Sequence, residues 1–182
     1  MRMRHRTVGL LAVATLVLTG CAAGQDAETQ KPEITTDGIS VDLNGGQLAV
    51  RNVFVTPTAP GADRVPKGGA VRVYMHIVNN SSQPDQLVSV QSLTGGTTTI
   101  TQRVQPVTAG FNNAPVVIPP RRLVKIGYPD SPEILITNLG VARFVGTYLK
   151  LQLAFARAGS VVVDAPIEDE ASVAEADEAT AT

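Results

Sequence analysis

The chain has 182 residues, with 15 basic and 16 acidic side chains, 43% apolar and 4% aromatic residues, 16 glycines, 12 prolines and one cysteine. This near-neutral balance, with three tyrosines, four phenylalanines and no tryptophan, excludes a nucleic-acid binder, which needs a basic stripe interleaved with stacking rings. One cysteine excludes an internal disulfide framework.

At the start of the chain, Arg2, Arg4 and Arg6 precede an uncharged run from Thr7 to Gly20 that is too short to span a bilayer. This is the pattern of an export signal occupying residues 1–20. Leu18, Thr19 and Gly20 form a lipobox directly ahead of Cys21, so Cys21 is expected to become the first mature residue and to carry a diacylglyceryl thioether. Two or more acyl chains on one residue supply the double anchoring that a single chain lacks. The expected location is therefore the cell membrane, lipid-anchored on the extracytoplasmic face. Residues 21–40 are polar and read as a flexible tether.

Residues 41–167 are enough for one domain and too few for two. Prolines and paired glycines punctuate this stretch, and the segments between them are rich in Val, Ile, Leu and Thr, which predicts an all-β sandwich. Strands are expected over 47–55, 70–79, 85–90, 97–104, 115–118, 122–126 and 133–136. The clearest is 147–156, where Leu149, Leu151, Leu153 and Phe155 alternate with Tyr148, Lys150 and Gln152. A turn at Arg157-Ala158-Gly159-Ser160 then leads into "VVVDAPI", predicting a terminal hairpin.

The stretch "VYMHIVNN" (73–80) sets methionine beside histidine, as half a copper site would. Period-two alternation separates them: Val71, Val73, Met75 and Ile77 share the core face, and Arg72, Tyr74 and His76 point the other way, which places His76 on an exposed surface. Cleavage of the signal removes Met1, Met3 and His5, so Met75 and His76 are the only methionine and histidine of the mature chain. A soft copper site needs several such ligands, and a zinc site needs more histidine and cysteine than remain. Among catalytic signatures there is no G-x-S-x-G elbow, no P-loop and no dinucleotide fingerprint, so no enzyme is expected. Asn79 and Asn80 each begin an N-x-S sequon, which carries no meaning in the bacterial cell that a lipobox implies. Residues 168–182 hold six acids and no base, and read as a disordered acidic tail.

Three segments carry a family resemblance. "AVRVYMHIVNNSSQPDQLVSVQS" (70–92), "VIPPRRLVKIGYPDSPEILITNL" (117–139) and "LKLQLAFARAGSVVVDAPI" (149–167) are similar to the exported copper chaperones labelled PCuAC. With the lipobox and the tether, the closest likeness is to lipid-anchored actinobacterial members whose metal site has degenerated. The resemblance implies a Greek-key β-sandwich of cupredoxin-like or immunoglobulin-like form. It also implies one copper held by a histidine, a later methionine and a His-x-Met pair. Laid without gaps on this chain, those ligands fall near Thr101, Asn112, Glu133 and Leu135, none of which suits soft copper. No cofactor is therefore expected, and Met75 and His76 are the only remaining candidates for a metal. Because such chaperones serve terminal oxidases, the resemblance implies an envelope-protein partner, the cytochrome c oxidase complex. The alternative is a metallochaperone that still carries copper to that oxidase.

Overall fold

The computed structural model describes residues 38–103, 111–112, 114–169 and 173. The expected export signal, the lipobox Leu18, Thr19 and Gly20, the lipidation residue Cys21, and most of the tether and tail lie outside the described residues.

Alternating apolar positions become strands throughout this part of the chain. They are β1 (Ile39–Leu43), β2 (Leu48–Pro57), β3 (Arg64–Val65), β4 (Val71–Asn79), β5 (Asp85–Ser92), β6 (Thr97–Arg103) and β7 (Phe111–Asn112), then β8 (Val116–Ile118), β9 (Arg122–Ile126), β10 (Glu133–Thr137), β11 (Arg143–Phe144), β12 (Tyr148–Phe155) and β13 (Gly159–Pro166). Each strand expected from the sequence is present with ends shifted by at most two residues. β1, β3, β7 and β11 were not anticipated: three of them are only two residues long, and β1 begins at Ile39, inside the stretch read as tether.

Two sheets form the sandwich. The larger has the order β1-β2-β4-β10-β6-β7, with β9 pairing with β4 beyond the end of β10, and the smaller has the order β13-β12-β5-β8. Pairings such as β2 with β4, β10 with β6, and β12 with β5 join strands distant in sequence, as Greek-key connections require. A small ribbon of β3 and β11 stands apart from both sheets. The inner faces meet in one core containing Val50, Val73, Met75, Ile77, Ile134 and Ile136 from the larger sheet and Leu87, Leu149, Leu151 and Leu153 from the smaller. Met75 is fully buried there, as its phase predicts.

Two buried polar side chains fix the ends of these strands. Asn79 donates through Nδ2 to the carbonyls of Gln83 and Ile118, at 2.8 and 3.2 Å, and accepts from the amide and hydroxyl of Ser81. Asp85 opens β5 and accepts the backbone N–H groups of Arg157 and Ala158 at 2.9 and 3.0 Å, so one carboxylate holds the turn of the β12–β13 hairpin. Asn79 thereby makes all four of its side-chain hydrogen bonds, and both carboxylate oxygens of Asp85 accept one, at sites where an unmade bond would be expensive.

The β2–β4 register slips between Arg51 and Phe54, where Asn52 adopts a φ of 51°. This β-bulge places Arg51 opposite His76 and Phe54 opposite Tyr74. Among the described residues, no helix is long and apolar enough to cross a membrane.

Candidate functional site

The outer face of the larger sheet concentrates the chemistry. On β4, Arg72, Tyr74 and His76 project away from the sandwich core, and Phe54 joins them from β2 because of the bulge. The Phe54 and Tyr74 rings stack with centroids 4.9 Å apart, and Tyr128 meets Tyr74 edge-on at 5.4 Å. Tyr128 also lies flat on His76, with centroids 4.8 Å apart and planes 10° from parallel.

A tight connection between β9 and β10 delivers Tyr128 to this position. Gly127 has a φ of 88° and donates its N–H to the Pro132 carbonyl, while the Ser131 hydroxyl and amide both bond the Tyr128 carbonyl. A Cβ on Gly127 would lie 2.5 Å from the Val73 carbonyl oxygen, so only glycine allows this approach. The Lys125 ammonium sits 5.5 Å from the centre of the Tyr128 ring, within cation–π range.

His76 therefore departs from its sequence-based expectation. It does face away from Met75, but it is 1% exposed instead of solvent-facing. The expectation assumed that the outer face of an antiparallel strand is wet, whereas the Tyr128 loop covers it. Met75 and His76 lie on opposite sides of one sheet, and this arrangement cannot bring their donor atoms to a common ion.

The positions onto which the resemblance lays copper ligands lie on neighbouring strands of the larger sheet. Glu133 pairs with Thr101 across β10 and β6, Leu135 lies two residues further along β10, and Asn112, on the neighbouring β7, pairs through its backbone with Gln102 of β6. A cavity of about 420 Å³ opens beside them, lined in part by Arg72, Tyr74, Thr101, Tyr128 and Glu133. Its donor set is oxygen and guanidinium. Glu133 is already bonded to Arg72, at 2.6 Å from Oε1 to Nε. The hydrogen bond to Tyr74 is the largest cause of an Arg72 pKa above its ordinary value, with the Glu133 bond adding and burial opposing. The guanidinium thus stays charged, and it holds the carboxylate that a metal would need. Thr101 and Leu135 supply no soft donor, so these residues do not fit a copper ion. Among the described residues, no group of three His, Cys, Asp or Glu side chains could hold a metal.

A second concavity, of about 440 Å³, lies between β5 and β6 and is lined by Val88, Ser89, Gln91, Ser92, Thr97 and Thr98 among others. It carries hydroxyls and an amide but no titratable side chain.

A family model described as "Putative lipoprotein LpqE-like" matches residues 48–167. The chain belongs to the LpqE-like family. A curated relative described as "Putative lipoprotein LpqE", from Mycobacterium leprae (strain TN), is 34% identical over 90 residues, covering 49% of this chain and 48% of the relative. The match thus spans about half the length of that curated relative. Among solved structures, the "Apo PCuAC domain from PmoF1" is 27% identical with a TM-score of 0.57, covering 72% of this chain and 99% of that domain. The "Copper-bound PCuAC domain from PmoF2" is 21% identical with a TM-score of 0.56, covering 72% and 98% respectively. The expected kinship with PCuAC-type proteins and the all-β, cupredoxin-like sandwich both hold.

The sequence did carry one overlooked signal for the covered face. Tyr74 falls on the phase assigned to the outer face, where a large ring marks a surface that something covers; Phe54 joins it only because the bulge at Asn52 shifts the phase of β2.

Proposed function

We propose that this LpqE-like protein is a lipid-anchored, non-catalytic envelope protein whose β-sandwich docks on another envelope protein, with the respiratory terminal oxidase as the candidate partner. The observation that carries the reading is the donor set at the family's copper positions. Thr101, Asn112, Glu133 and Leu135 replace soft ligands, and Glu133 is committed to Arg72. A sandwich that keeps its surface after losing its ligands retains the capacity to dock. The export signal, the lipobox Leu18-Thr19-Gly20 and Cys21 support anchoring on the extracytoplasmic face, and the lipoprotein description of the relative agrees.

Two experiments test it. Palmitate labelling and membrane fractionation are expected to succeed with the native chain and to fail with Cys21→Ser; retention and labelling of that variant would remove the anchor from the account. Affinity capture of the lipidated protein from detergent-solubilised membranes is expected to enrich terminal-oxidase subunits. Their absence, with no other envelope protein enriched above a control lipoprotein, would end the docking proposal.

The competing reading is a metallochaperone delivering copper to cytochrome oxidase, and it draws on the copper-bound PCuAC domain among the structural neighbours. In this chain it would have to recruit His76 from beneath Tyr128, with ligands from outside the described residues or from a second copy.

A further inference from the structure

Beyond β13 the chain does not leave the molecule at once. Ile167 is fully buried, donates its N–H to the Thr147 carbonyl and accepts from Gly146, and it forms a parallel bridge with Val55. Glu168 then donates its N–H to the Val55 carbonyl at 2.8 Å, so the chain has crossed from the smaller sheet to β2 of the larger one. Five residues later, Val173 packs, partly buried, on the cluster formed by Phe54, Tyr74 and Tyr128. It also helps line the cavity that holds Arg72, Thr101 and Glu133.

We propose that Val173, carried on the acidic C-terminal segment, is a tethered ligand of this outer aromatic face. The seat is apolar. The Arg72 guanidinium at its rim is already paired with Glu133, so apolar contact is what the seat offers. Tethering supplies what a single valine lacks: with so short a link to Glu168, the effective concentration of Val173 is on the order of millimolar or higher, enough to hold a contact too weak to form between separate molecules. Any molecule that uses this face must displace the chain's own tail first. The inference concerns only this chain, and it stands apart from the identity of any docking partner.

The tyrosines provide the readout. Tyr74 and Tyr128 are 5% and 4% exposed, Tyr148 is 59% exposed, and the chain has no tryptophan. In a full chain carrying Tyr148→Phe, tyrosine emission reports on the covered pair alone. Adding Val173→Asp is expected to raise acrylamide quenching by about twofold or more, because the seat is opened without unfolding the sandwich. A synthetic peptide of residues 169–182 is expected to bind that variant saturably and to restore the protection, with little dependence on salt. The same peptide is expected not to bind the Tyr148→Phe parent, whose own tail fills the seat. If Val173→Asp melts early, Val173→Ala and a chain ending at Asp169 carry the same comparison. Unchanged quenching, a peptide that binds both proteins equally, or a peptide that binds neither would overturn the proposal.

Discussion

Asp85→Ala should unlock the closing hairpin. The carboxylate is 6% exposed and accepts backbone N–H groups from Arg157 and Ala158, two residues that no strand ladder satisfies, as well as from Gln86 beside it. A hydrogen bond to a charged acceptor contributes about 1.5–3 kcal/mol, and the exposure of Arg157 lets water recover part of that. Taking the lower value for the two long-range bonds and neglecting the local one gives about 3 kcal/mol. With about 130 ordered residues, the unfolding entropy is roughly 0.27 kcal/mol/K, so Tm should fall by about 11 °C. Asp85→Asn keeps an acceptor for one of the two N–H groups and should lose about half as much. Thermal and urea unfolding followed by circular dichroism measure both variants. A loss below about 2 °C for Asp85→Ala would refute the claim that this carboxylate pins the hairpin.

Three further outcomes follow from the same packing. Asn79→Ala removes all four bonds of a side chain that is 1% exposed, and should cost about 2–4 kcal/mol by urea unfolding, with Asn79→Asp also destabilising because its carboxylate cannot donate to the Gln83 and Ile118 carbonyls. Gly127→Ala meets the Val73 carbonyl and forces a φ of 88° on a residue with a Cβ, so a loss of about 2 kcal/mol or more is expected, with a change in near-ultraviolet circular dichroism as Tyr128 leaves His76. Arg72→Ala breaks a half-exposed ion pair with Glu133 and should cost under about 1 kcal/mol in stability, because solvent screens such pairs.

Much of the fold was legible because its strands obey a period of two. Leu149, Leu151 and Leu153 are fully buried in the core, and Lys150 reaches Asp164 on the wet side at 2.6 Å, as alternation alone requires. Residues 85–88, "DQLV", inside the first of the three segments that carry the family resemblance, gain a physical reason: Asp85 ties β5 to the closing hairpin, and Leu87 is fully buried. The short strands escaped because two residues show no periodicity, and the bulge at Asn52 escaped because it depends on a register set by the partner strand. His76 was misplaced for a related reason. Alternation tells which side of a sheet a residue takes, but not whether a loop such as 127–132 folds over that side. Thr101, Glu133 and Leu135 lie on the paired strands β6 and β10, but the chemistry there was illegible, since the Arg72–Glu133 pair joins residues 61 apart in sequence.

As proposed, this LpqE-like sandwich keeps the PCuAC scaffold without its copper chemistry. Anaerobic titration of the full chain with Cu(I) against a calibrated chromophoric chelator tests it directly. The expected result is no stoichiometric copper withdrawn from a chelator of soft-site affinity, with the His76→Ala variant behaving as the native chain does. One copper bound tightly per chain, and lost on His76→Ala, would contradict the claim.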